Sequence, residues 1–253
     1  MKIKRILSVF LVAVMLLCSL ASCGSDTATE LVEKADKALL NTPYKVDMSM
    51  NMESDNQDYS EMFESMALDT EMYIDGEKFA ISLNMYGTAI DMSCVGNTLY
   101  ATASVSGQTV SKVKATMTDV QREEVLGDAM GSANELMPVD FESIKMEKND
   151  EGQTVITCTN LKSDVLQDYI EEVSAEYEGM ELVIDNIKLI AIIDGGKYHS
   201  ITVSMDYSFD ILGESVDVAV GVSMNFDYEA GKKITAPEDA DTYEEMDYDD
   251  IVG

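Results

Sequence analysis

The chain is poor in residues that could do covalent or acid–base chemistry. It has four cysteines, one histidine and no tryptophan, and 48 Asp and Glu stand against 17 Lys and Arg in 253 residues. Nucleophilic catalysis needs a Ser, Cys or Thr beside a base that a third group orients. His199 is the sole imidazole. No strand–turn–helix elbow around a serine accompanies it. It alternates with Ile201 and Val203, which predicts a core histidine, the alternative being contact with the polar end of a ligand. Asp247, Asp249 and Asp250 lack the spacing of a calcium loop and read as a solvated acidic tail. The chain is expected to be non-enzymatic, with no catalytic residues, no metal site and no cofactor.

Methionine is the compositional oddity, with 18 residues. Met48, Met50, Met52, Met72, Met85, Met92, Met205 and Met224 fall on the apolar phase of strand-like runs. Flexible thioethers suit a surface that re-packs around variable apolar ligands, and they equally fill an irregular core. The candidate ligand-binding residues are Met48, Met50, Phe79, Leu83, Met92, Val203, Met205, Tyr207, Val220 and Met224. Cys94 and Cys158 also lie on apolar phases. A disulfide between them would close a loop of 64 residues, worth about 4 kcal/mol on a chain-entropy model. Two buried free thiols are the alternative.

The N-terminus decides the compartment. Met1-Lys2-Ile3-Lys4-Arg5 is a basic head, and Ile6 to Leu17 is an apolar core too short to span a bilayer stably. Residues 1–22 therefore read as a signal peptide. Leu20-Ala21-Ser22-Cys23 resembles the lipobox of bacterial lipoproteins. That resemblance implies a diacylglyceryl group on Cys23, cleavage before it, and a protein anchored by lipid on the extracytoplasmic face of the cell membrane. Residues 23–29 then form a lipidated linker.

The leader takes Lys2, Lys4 and Arg5 with it, leaving 14 Lys and Arg against 48 Asp and Glu, a formal charge of −34 on 231 residues. Such a field repels nucleic-acid phosphates and anionic headgroups alike, so no nucleic-acid partner is expected.

Elements that could position these residues follow from periodicity. Leu31, Val32, Ala35, Ala38 and Leu39 recur at helical spacing up to Pro43. From Tyr44 the period becomes two, and residues 44 to 117 read as an antiparallel meander with hairpins at Asp75-Gly76, Gly96-Asn97 and Ser106-Gly107. Thr118-x-x-Gln121 is a capping-box pattern for a helix running toward Pro138. Residues 140–147 and 153–160 form a hairpin, and a third helix starts near Ser163 or Asp164. Two long alternating runs, 201–211 and 216–228, complete the sheet and imply a wide, curved one.

Helix, meander, helices and long closing strands behind a lipobox resemble the LolA/LppX-type bacterial lipoproteins. The resemblance implies an α+β fold, a strongly curved antiparallel β-sheet (an open half-barrel) with helices packed on the concave face over residues 30–245, and a lipid or acyl chain bound between them. Residues 246–253 are expected as an acidic disordered tail. An envelope interaction module, meeting a protein partner and no small molecule, is the alternative function.

Overall fold

The computed structural model describes residues 26–252 apart from 57–59, 61–62, 64–66, 86, 123–124, 126–137, 168–169, 171–181, 212–213 and 232. The expected leader and Cys23 lie outside the described residues, as do most of the expected second and third helices.

Helix α1 spans Asp26–Asn41. It begins inside the expected linker and buries Ala28, Val32 and Ala35, a spacing of four and three that stacks one face. Small residues there let the helix approach the sheet closely. Asn41 caps the end by donating to the Lys37 carbonyl at 2.6 Å, and Pro43 follows where a helix cannot continue.

The strands are β1 (Tyr44–Ser54), β2 (Leu68–Asp75), β3 (Lys78–Met85), β4 (Thr88–Val95), β5 (Thr98–Val105), β6 (Gln108–Thr116), β7 (Phe141–Lys148), β8 (Thr154–Leu161), β9 (Leu182–Asp194), β10 (Lys197–Ile211), β11 (Glu214–Asp227) and the two-residue β12 (Glu244–Glu245). They form one sheet in the order β12-β6-β5-β4-β3-β2-β1-β11-β10-β9-β8-β7. All pairs are antiparallel except β12 beside β6. Two meanders, β1–β6 and β7–β11, thus meet where β1 pairs with β11, from Lys45 opposite Asp227 to Ser54 opposite Val218.

The expected half-barrel is not what forms. The sheet is neither closed nor strongly curled, and strand, not a balance of helix and strand, dominates the described residues. The reason is physical. In-phase alternation obliges a strand to bury one face but carries no information on curvature, which comes from bulges and glycine kinks. Few interruptions are present: register shifts in β9/β10 at Tyr198/Ser200 and Ser204/Asp206, and one in β5/β6 at Ala103/Ser104.

Those shifts also move side chains. The one at Tyr198/Ser200 turns Tyr198 inward and leaves His199 exposed, so the expected core histidine is a solvated one. In β9, Asn186 adopts φ 53 and breaks the alternation between Ile184 and Ile187, both buried. This bulge explains why β9 has no clean period of two.

Two local motifs form as their residues dictate. The Thr118 amide donates to Gln121 Oε1 at 2.9 Å and the Gln121 amide to Thr118 Oγ1 at 3.2 Å, a reciprocal capping box. The β9–β10 turn places Gly196 at φ +81 with Lys34 of α1 across it, a Cβ there falling 2.4 Å from Lys34 Cε. Gly196→Ala is expected to cost about 1–3 kcal/mol through backbone strain, read as a lower urea midpoint at unchanged slope.

The expected disordered tail is instead a docked strap. Tyr243 donates or accepts a 2.7 Å hydrogen bond with Thr102 Oγ1 and sits edge-on to Tyr100. Lys112 pairs with Asp239 and lies over the Tyr243 ring, and the Asp239 carboxyl is held below its usual range by that lysine. The Met246 amide donates to the Lys114 carbonyl at 2.9 Å, shielding the β6 edge. Residues Tyr248–Val252 then form helix α2, with Tyr248 and Ile251 packed against the core. Acidic neighbours masked these two apolar anchors in the sequence.

Candidate functional site

The ten candidate ligand-binding residues all lie on the inner face of the sheet, in adjacent cross-strand rows. Met48 of β1 stands opposite Met224 of β11 on one side and Thr70 of β2 on the other. Met50 stands between Val222 and Leu68, Val203 between Val222 and Leu189, and Val220 between Met52 and Met205. Farther along, Leu83 faces Thr70 and Ile90, Phe79 lies between Ile74 and Cys94, and Met92 faces Ile81 and Ala101. Tyr207 faces Val218 and Ile184. Met92 and Tyr207 are half-buried and the other eight are buried. Met48, Met50, Met205 and Met224 gather at the β10–β11–β1 centre, whereas Phe79, Leu83 and Met92 sit two or three strands from β1. Leu189, Val222 and Thr70 belong to the same rows, and their place there follows from the strand register, which the sequence does not display.

Charge is kept to the other face. Lys45 Nζ bridges Asp47 and Glu71 at 2.8 Å each, and these carboxylates hold its ammonium above the usual range, Asp47 contributing most. Ser82 donates to Asp91 at 2.6 Å, and the Ser49 and Ser223 hydroxyls share a 2.8 Å bond. Alternation separates the two environments across one sheet thickness: carboxylates and hydroxyls outside, thioethers and aliphatics inside.

Tyr44, Tyr198, Phe226 and Tyr228 form an aromatic group near α1, with ring centroids 5.8 Å apart for Tyr198–Phe226, 6.0 Å for Tyr44–Phe226 and 6.1 Å for Tyr44–Tyr228. Tyr198 donates to Asp36 Oδ1 at 2.8 Å, tying helix to sheet. Burial pushes the Tyr228 phenol up to about 12, so it stays protonated at neutral pH and offers no base.

Cys94 and Cys158 are free and buried. The candidate disulfide does not form and the two thiols stay free, because six strands, β3, β2, β1, β11, β10 and β9, separate β4 from β8 in the sheet order, far beyond the reach of a bond that needs Cα atoms within about 7 Å. Cys94 Sγ donates to the Gly96 carbonyl at 3.3 Å. Burial raises both thiols, Cys158 to about 12. Thiolate is the reactive form. Both cysteines are therefore expected to resist iodoacetamide at pH 8 in the native state and to react fully in urea, as counted by mass spectrometry. The same displacement makes stability fall as pH rises above 9, where the unfolded thiol ionises and the buried one does not.

At the strap, an open hollow of about 560 Å³ is lined by Thr116, Glu245, Met246, Asp247, Tyr248 and Asp250. It is polar and acidic. Among the described residues no group of three or more His, Cys, Asp or Glu side chains is placed to hold a metal ion, and no described helix is long and apolar enough to cross a membrane.

No family model matches the chain, and no curated protein does. Among solved structures, the ywiB protein from Bacillus subtilis shares 9% identity over 73% of this chain and 91% of its own, with a TM-score of 0.17. A likeness at that level does not bear on fold or function.

Proposed function

We propose that the chain is a non-enzymatic lipoprotein, anchored through Cys23 on the extracytoplasmic face of the cell membrane, that holds a lipid or other apolar ligand against the inner face of its sheet. The observation that carries the reading is the methionine-rich centre of that face, where Met48, Met50, Met52, Met205 and Met224 fall on three adjacent strands in register. Thioether side chains re-pack at low cost around guests of differing shape. The lipobox-like Leu20-Ala21-Ser22-Cys23 supports the location. Because α1 starts at Asp26, the tether from Cys23 is three residues, at most about 10 Å, which keeps the domain next to the bilayer that would supply the ligand. The formal charge of −34 favours no nucleic-acid partner.

A soluble Cys23→Ser form titrated with the neutral fluorophore N-phenyl-1-naphthylamine tests this. The expected result is saturable, blue-shifted emission at one probe per chain. A second reading, an envelope interaction module without a small-molecule ligand, draws on the burial of eight of the ten candidate residues and on the carboxylate-rich outer face. It predicts no saturable probe emission and a specific cross-linked envelope protein.

A further inference from the structure

Among the described residues, the buried side-chain oxygens left without a hydrogen-bond partner are Thr29 Oγ1, Thr70 Oγ1 and Tyr228 Oη. Thr29 is in the opening turns of α1, and Tyr228 is half-buried beyond the end of β11 under Lys197. Thr70 differs from both. It sits mid-strand in β2, is 4% exposed, and occupies the inner face between Met48 and Leu83. Leu68 and Met72 flank it along its own strand on the same face, both buried. Its neighbours within the sheet are apolar, and the hydroxyl has no hydrogen-bond partner. Desolvating a hydroxyl without a partner is a standing cost that valine, of the same shape, would avoid.

We propose that Thr70 Oγ1 is the polar anchor of the ligand site, and that the ligand is an amphiphile with a compact neutral head, a hydroxyl or an ester, hydrogen-bonded there while its chain lies along the methionine rows. The inference rests on the apolar-ligand reading above and adds to it the class of head group. Neutrality follows from the surroundings. Met48, Leu83, Leu68 and Met72 carry no charge, and a carboxylate or phosphate placed among them would be a buried ion without a counter-charge. Lys45, close by in β1, has its ammonium on the opposite face, held by Asp47 and Glu71. A hydroxyl or ester oxygen, by contrast, exchanges one hydrogen bond with Thr70 and leaves the rest of the contact to dispersion.

The test compares displacement of N-phenyl-1-naphthylamine from the Cys23→Ser protein by oleyl alcohol and by 1-octadecene, chains of equal length with and without a polar head. The unsubstituted face is expected to favour the alcohol by about 3- to 10-fold, the range of one neutral hydrogen bond. In Thr70→Val that ratio should fall to about 1, with the affinity for octadecene kept and the melting temperature no lower. Thr70→Ser should restore the preference. An unchanged ratio in Thr70→Val overturns the anchor and leaves the apolar-ligand reading standing. Absence of any probe binding in the parent protein overturns both.

Discussion

Replacing Val203 by aspartate is expected to move the urea midpoint of unfolding sharply down, by far more than any substitution on the outer face of the sheet. Val203 is 2% exposed and lies between Leu189 and Val222 at the junction of the long strands. A carboxylate there would be buried with no counter-charge, a loss of about 3–5 kcal/mol or more, set against a total stability of roughly 5–15 kcal/mol for a domain. The neighbouring position is the control. Ser204 is exposed, points to the other face, and stands opposite Lys188, so Ser204→Asp should change stability by no more than about 0.5 kcal/mol. Urea titrations followed by circular dichroism read both. Equal, small effects would mean that the β10 register, and with it the placement of the methionine rows, is wrong.

The second large effect concerns the anchor. Cys23→Ser is expected to end incorporation of labelled palmitate and to move the protein from the membrane to the soluble fraction. Each buried methylene contributes about 0.8 kcal/mol to anchoring, and two acyl chains hold a protein stably where one does not, so the shift in partition should be close to complete. The domain itself is expected to keep its melting temperature, since α1 and the sheet are formed from residues beyond the tether. Retention of the serine variant on membranes would place the attachment elsewhere.

Much of the sheet was legible in the sequence because alternation of apolar and polar residues is the direct signature of a half-buried strand. The long runs 201–211 and 216–228 became β10 and β11, and Asp75-Gly76 became the β2–β3 turn. Three things were not legible. The pairing of β1 with β11 joins positions more than 160 residues apart, and no local pattern specifies which strand a given edge will meet. Bulges invert the phase without a distinctive residue type, which is why the alternation points His199 inward although it is exposed, and why β9 shows no clear period. Curvature is a property of the whole sheet, and alternation along a strand fits a flat sheet as well as a half-barrel.

The site shows the same division. That Met48, Met50, Met205 and Met224 would share a face followed from their phase alone. That Thr70 would sit among them, beside Met48, depended on the β1–β2 register, with Met50 opposite Leu68. The acidic strap illustrates the opposite failure, in which a run of Asp and Glu concealed Tyr243, Tyr248 and Ile251, each of which packs.

Whether the inner face of the sheet holds a neutral amphiphile is read by native mass spectrometry of the full-length Cys23→Ser protein, purified without detergent. The expected spectrum has a population carrying one additional lipid-sized mass that is released on collisional activation and gives a neutral molecule with a hydroxyl or ester head. A chain mass with nothing added, across preparations that have never met detergent, would contradict it.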